Sequence, residues 1–572
     1  MVVAVPPRRL LPVHLLVSLL VLAVCASQAA AQKEPRPQFP PPQGAPPPKG
    51  PPPRPVLPPM AAAHAGDLAA IAGAARGLPM GGSMRLEGLL LEDGEPEEAL
   101  TLERILVFTD DAEVVVHDAT GGRDHFDPPD VAWLRGRLTT DPASHAYLAV
   151  PREGVPRGLV ARAGRYYLLS AEGPDPGRGR GRLRGRRNEL PGVPFDCRLD
   201  EAPEVREESS TLEASDPAAG FEAFLAPLVA GAPAHTARVA VETDWEFFQR
   251  FGSRAAATEY VGDLFAYISA LYEREVGTSL EVVHLSLWDS SADPWTQTSA
   301  SCGMYEFGRY WNRNRTGVER TLAHFLSGKP GNSGIAWLGV LCGDGFTIDH
   351  GGSCPGLTPQ RDQYGGAYGF TGGISGSFDP AAPAIVWDLL GVAHEIGHNF
   401  DSPHTHCYGG LGGLSAPVDQ CSSSQCGQPG CHCGTPILPC GAIGGACGTV
   451  MSYCHLLSGN VGNIAWTFGQ GHPFGLAPGR VPERMRAHVA ARAQSAPACL
   501  APIAGPGTGC EDLLLAGMTV SSTSTYATCG TLTARNVRVT ASGDVTLTAG
   551  RVVLGEGFAV VDGGELRVRT VP

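Results

Sequence analysis

The sequence predicts a multidomain chain. A mixed α/β (α+β) central domain follows a β-rich block and precedes a small all-β module. Three observations predict this. The 572-residue chain is too long for one core, and its 74 glycines and 50 prolines favour loops and short strands over long helical bundles. Residues from about Pro233 alternate strand-like and helix-like patterns, whereas the flanking stretches show strand patterns alone. Sixteen cysteines, twelve of them between Cys302 and Cys499, indicate a disulfide-stabilised central block.

Residues 1–31 have the form of a secretory signal. Arg8 and Arg9 give a basic start, Leu10–Val24 is apolar, and Ala29-Ala30-Ala31 offers a small-residue cleavage site. The apolar run is too short for a stable membrane span; an uncleaved anchor is the competing reading. Residues 32–60 are a proline-rich linker of extended, polyproline-like character. Export to an oxidising, extracellular setting agrees with the cysteine count. Net charge is −14, so no nucleic-acid partner is expected.

Residues 61–232 form the β-rich block, with strand-like runs at Arg104–Val116, Ala146–Val150 and Leu159–Ser170. The basic stretch Arg178–Arg187 reads first as a solvated loop and, alternatively, as a processing site. Residues 233–503 form the central domain. Ala237–Thr243 and Leu280–Trp288 read as strands. Arg254–Glu275 reads as a helix with Tyr260, Leu264, Tyr267, Ile268 and Leu271 on one side. Met304–Leu326 reads as a second helix, and Gly334–Leu341 as a third strand. Val386–Phe400 and Arg480–Arg492 read as further helices, with Pro482 in the first turn of the last. In residues 504–572, Leu532–Val571 alternates small polar and apolar residues between glycines, which predicts a β-sandwich or β-solenoid.

His394–His404 reads HEIGHNFDSPH. His394 and His398, four residues apart on a helix, point from one face and can bind one Zn²⁺, with Glu395 beside them as a candidate general base. His404 as a third ligand leaves one coordination position for water, which is the pattern of a catalytic zinc site. Downstream, Cys447–His455 reads CGTVMSYCH and contains Met451.

The motif and the downstream methionine resemble the metzincin zinc endopeptidases, close to the reprolysin (adamalysin) branch, whose pattern is H-E-x-x-H-x-x-G-x-x-H with a Met-turn. The resemblance spans roughly Ala237–Ala501. It implies a twisted mixed sheet with an active-site helix and one catalytic Zn²⁺ on His394, His398 and His404. It also implies Glu395 as general base, Met451 as the Met-turn support and proteins or peptides as substrates. Tyr453 matches a tyrosine that some metzincins place near the metal, where it could steady the tetrahedral intermediate; a packed aromatic is the alternative. GIAWLGVLC resembles the family's edge strand, so Gly334, Ile335, Ala336, Trp337, Leu338 and Gly339 are expected to pair with extended substrate. Calcium is compatible with the resemblance, but its ligands are not derivable from sequence.

The family glycine is Asp401 here. Asp enters the left-handed region more readily than most residues, so Asp401 is expected to turn the chain. The rivals are Asp401 as a ligand, a degenerate inactive site, and His406 as third ligand. Cys197, in PFDCRLDE, stands apart from the other cysteines and could fill the open zinc position as a thiolate. The resemblance implies latency of this kind in a propeptide, residues 61–232, although the local sequence departs from the usual switch motif. A buried thiol or a disulfide are the other readings. The functional expectation is a secreted latent zinc endopeptidase; the alternative is a secreted binding or adhesion protein with an inactive zinc domain.

Overall fold

The computed structural model describes residues 61–187, 196–197, 235–376, 385–500 and most of 513–570, with short gaps inside these ranges. The expected signal peptide and proline-rich linker lie outside the described residues, as do Cys25, Cys510 and Cys529.

The N-terminal block builds an eight-stranded sheet. Its strands are β1 (Ala61–His64), β2 (Ser83–Leu89), β3 (Glu98–Ile105), β6 (Val131–Leu138), β7 (His145–Pro151), β8 (Arg157–Arg162), β9 (Arg165–Asp175) and β10 (Arg180–Arg187), adjacent in that order. The pairing is antiparallel except between β1 and β2. Helix α1 (Leu68–Gly77), capped by the Asp67 side chain, packs Leu68, Ile71 and Ala75 onto one face. The opposite face of β6–β9 carries Trp133, Tyr147, Ala149, Leu159 and Leu168 into the core of the central domain. Burial on both faces explains why all seven residues of β7 are buried.

The basic stretch is a strand and not a solvated loop. Arg180–Arg187 pairs with β9, buries Leu183 and presents its arginines outward, where Arg184 meets Asp93 and Arg186 meets Glu172. A short apolar anchor among paired charges is well suited to a sheet edge.

The central domain is built on a second eight-stranded sheet. In spatial order it runs β11 (Asp196–Cys197), β15 (Ser333–Ala336), β18 (Tyr368–Thr371), β14 (Leu322–Leu326), β12 (His235–Thr243), β13 (Thr278–Trp288), β4 (Phe108–His117) and β5 (Arg123–Phe126). The strands from β18 to β4 are parallel, and β15 is antiparallel to β18. β16 (Phe346–Asp349) and β17 (Arg361–Gly365) form a separate hairpin. The run expected at Arg104–Val116 therefore serves two sheets: it leaves the first at Ile105 and enters the second at Phe108.

Helices α2 (Trp245–Gln249), α3 (Arg254–Val276), α4 (Ala300–Asn314), α5 (Ile385–Asn399) and α6 (Arg480–Ser495) complete this domain. α3 starts at a Ser253 cap and ends at Gly277, whose φ of 68° closes the last turn. It is buried on both sides because it lies between the two sheets. The helix expected over Met304–Leu326 is instead α4 followed by β14. The polar run Asn312–Gly317 interrupts the helix, and LAHFL is a fully buried five-residue run of strand length. The strand expected at Gly334–Leu341 stops at Ala336, since the chain turns at Gly339 (φ 68°).

Six disulfides tie the central block: Cys302–Cys354, Cys342–Cys499, Cys407–Cys431, Cys421–Cys454, Cys426–Cys433 and Cys440–Cys447. From Leu513 to Thr570 the described residues form three parallel three-stranded sheets, with Leu513 beside Leu532, Thr519 beside Arg538 and Asp544 beside Glu565. That is solenoid geometry, with Val520, Leu532, Val539 and Leu547 stacked inside.

Candidate metal centre

α5 carries His394 and His398, four residues apart, on one face, with Glu395 next to His394 in the chain. Its C-terminus is held against the sheet by Asn399, whose Nδ2 donates to the carbonyls of Trp337 and Tyr368 at 2.9 Å each. In return, Gly339 and Val340 donate their N–H groups to the carbonyls of His398 and Asn399. The chain then reverses at Asp401, which has φ 73°. Ser402 N–H reaches back to Gly397 O at 3.1 Å, closing the last turn in Schellman fashion. The Asp401 carboxylate pairs with Arg484 at 2.8 Å and points away from the histidines, so it sits at the turn and outside the ligand cluster.

The turn brings His404 to His394 and His398. Each ring is anchored through Nδ1: His394 to Val450 O at 2.7 Å, His398 to Ser402 O at 2.6 Å and His404 to Gln425 Oε1 at 2.7 Å. These anchors leave Nε2 as the ligand atom, in the manner that orients metal-binding imidazoles. Ligand atoms of Cys197, His394, His398 and His404 all lie within 4.8 Å of one another, and all four residues are buried. Cys197 Sγ is 3.4 Å from His398 Nε2. Zinc–nitrogen and zinc–sulfur bond lengths give a tetrahedral edge of about 3.5 Å, so an N₃S set fits. His404 Nε2 is buried and has no hydrogen-bond partner, which is the expected condition of a metal ligand. Burial holds the three imidazoles well below their usual pKa, His398 at about 4, and so in the neutral form that binds metal.

His406 lies outside this cluster and stacks on His404 at 5.3 Å. A second cluster, Asp419 with Cys421 and Cys454, is not a metal set, because those cysteines are joined as a disulfide.

Glu395 is fully buried beneath β15. A methyl group at Gly334 would lie 2.4 Å from Glu395 Oε1, so glycine is the residue that admits this carboxylate. Met451 packs under the helix in the same way, with its Sδ 2.4 Å from where a Cβ on Gly397 would sit. Met451 O also accepts from Thr405 N–H, tying the turn at Met451 to the residue after His404. The Tyr453 ring lies 4.3 Å from that of His404, and its hydroxyl donates to the Cys197 carbonyl.

The expected substrate edge is already covered. β11 pairs in parallel with β15, Asp196 beside Ser333 and Cys197 beside Gly334. Of the six expected residues, Gly334, Ile335 and Ala336 lie in the strand; Trp337, Leu338 and Gly339 form the turn after it.

Four contributors carry no sequence motif. Gln425 orients His404 from a loop pinned by Cys407–Cys431 and Cys426–Cys433. Asn399 and Arg484 fix the end of α5. Glu275 Oε2 accepts from the N–H groups of Phe468, Gly469 and Gln470, bracing the loop behind the Met-turn. Only the disulfide density hinted that the Gln425 loop would be held rigidly.

Residues 234–454 match the Reprolysin_5 family model, described as metallo-peptidase family M12. This block is similar to the M12 metallopeptidases. The match supports a zinc-dependent peptidase with protein substrates, and the mixed α/β fold agrees with it. No curated protein gives a significant match. Among solved structures, the crystal structure of metalloproteinase-II from Bacteroides fragilis aligns over 61% of this chain and 90% of its own, at 11% identity and a TM-score of 0.31. A structure of a chaperone–substrate complex aligns over 45% and 35%, at 12% identity and a TM-score of 0.23. Neither likeness is close enough to bear on function.

Proposed function

We propose that the chain is a secreted zinc endopeptidase of the metzincin type, made as a latent proenzyme. The observation that carries this reading is the convergence of three Nδ1-anchored histidines on one point that Cys197 also reaches. Zinc, when bound, lowers the pKa of a coordinated water and polarises a carbonyl. Glu395, beside His394 and under β15, would act as general base toward the attacking water and hand the proton to the leaving amine. Tyr453, released from the Cys197 carbonyl, donates its hydroxyl to the substrate's carbonyl oxygen. The substrate backbone takes the place of β11 along Ser333–Ala336.

In the latent form, Cys197 Sγ occupies the position that water needs. Six disulfides support an extracellular setting, and no helix among the described residues is long and apolar enough to cross a membrane. The test is casein cleavage by the processed protein with metal analysis. Wild type should bind zinc and cleave; Glu395→Gln should bind zinc equally and lose at least about two orders of magnitude in rate. Equal rates in the two proteins with zinc bound would favour a binding protein instead.

A further inference from the structure

We infer that the N-terminal block is a permanent subunit of the mature enzyme: activation removes the Cys197 strand, while residues 61–187 stay bound without a covalent link. The inference rests on the proposed latency for the meaning of activation, but its structural part stands separately.

Three features of the interface carry it. β4 lies in the central sheet, joined to β13 by six residue pairs from Val282–Phe108 to Trp288–His117. β13 has ten of its eleven residues buried, among them Leu280, Val282, Leu285, Leu287 and Trp288. Removing β4 would leave this buried strand as a long unpaired sheet edge, a liability for a soluble protein. The second feature is an interlock on α3. The Trp133 ring fills the notch at Gly262, where a Cβ would lie 2.3 Å from it, and its Nε1 donates to Asp263 at 2.9 Å. Arg157 bonds the other oxygen of Asp263 at 2.6 Å and Glu259 at 2.9 Å. The third is a shared core. Val114, Val116, Trp133 and Tyr147 belong to the same buried cluster as Val282, Leu285 and Tyr267. A helix apolar on both sides needs a cover on both sides, and the N-terminal sheet supplies one of them.

The link to the metal centre is of another order. Among the described residues, β11 contributes two residue pairs. Cuts on either side of it would free the cysteine without disturbing the β4–β13 pairing.

The experiment places specific protease sites within 188–195 and 198–234 of the full chain carrying Glu395→Gln, which prevents self-digestion. After cutting, size exclusion with light scattering should give one species containing one N-terminal and one C-terminal fragment. The two should separate only in denaturant. In a Trp133→Ala, Arg157→Ala version, the N-terminal fragment should dissociate at least tenfold faster. Fragments that part in native buffer, whether the larger one then stays soluble or precipitates, would overturn the inference. The readout is mass and does not depend on catalysis, so its failure is distinguishable from failure of the protease assignment.

Discussion

The central sheet is capped at both ends by strands from the N-terminal part of the same chain, and the two caps differ in kind. At the metal end, the described part of β11, Asp196–Cys197, pairs with Ser333 and Gly334. At the far end stands the β4–β5 hairpin: β4 is ten residues long and pairs with β13 through six residues, while Trp133, Tyr147 and Arg157 of the neighbouring sheet dock on α3. Backbone pairing over two residues is weak next to burial of whole aromatic side chains, each contributing up to about 3 kcal/mol. Under the proposed latency, one cap leaves and the other stays, so one N-terminal block would serve as both scaffold and latch, with the two tasks on opposite edges of the sheet.

The largest expected effect is at the far cap. Trp133→Ala empties the Gly262 notch and leaves Asp263 with one partner fewer, so unfolding should become easier by roughly 3–5 kcal/mol, read as a lower urea midpoint. An unchanged midpoint would show that the two sheets are docked loosely.

Acid should act on the same cap. His117 of β4 stacks on Trp288 at 4.2 Å and accepts from Arg315, while His284 of β13 bonds Ser286. Burial, with Arg315 nearby, depresses both to about 4. A histidine depressed in the folded state gives stability that is full above the unfolded value near 6.5 and is lost as pH falls toward 4. Stability of the metal-free chain should decline over that window. The decline should be shallower in a His117→Gln, His284→Gln chain, and parallel slopes would remove these residues from the explanation.

The smallest effect on stability, and the largest on activity, belongs to the near cap. Cys197→Ala should change the unfolding free energy of the metal-free chain, read from urea titration, by less than about 1 kcal/mol, yet raise casein cleavage by the uncut protein at least tenfold. A large stability loss with no activity would assign Cys197 to packing alone.

The metal end was the more legible in sequence. The i, i+4 histidines, Glu395 and the third histidine are local in the chain, and helix geometry turns spacing directly into facing side chains. Asp401 was readable as a turn because few other residues tolerate its backbone conformation. The far cap was not legible. Strand alternation shows that a segment has one buried face but not which sheet it joins, so Arg104–Val116 gave no sign of its passage from one sheet to the other. The helix expected over Leu322–Leu326 gives way to a strand because four apolar residues and one histidine after a helical run carry little periodicity. Gln425 and Arg484 act through tertiary contacts with no local pattern.

We propose that the thiol of Cys197 and the imidazoles of His394, His398 and His404 hold one zinc ion in the uncut chain. X-ray absorption on the zinc-loaded protein tests it directly. One sulfur at about 2.3 Å and three nitrogens at about 2.0–2.1 Å are expected, with the sulfur shell lost and one oxygen gained in Cys197→Ala. A wild-type spectrum with nitrogen and oxygen neighbours only would contradict the claim.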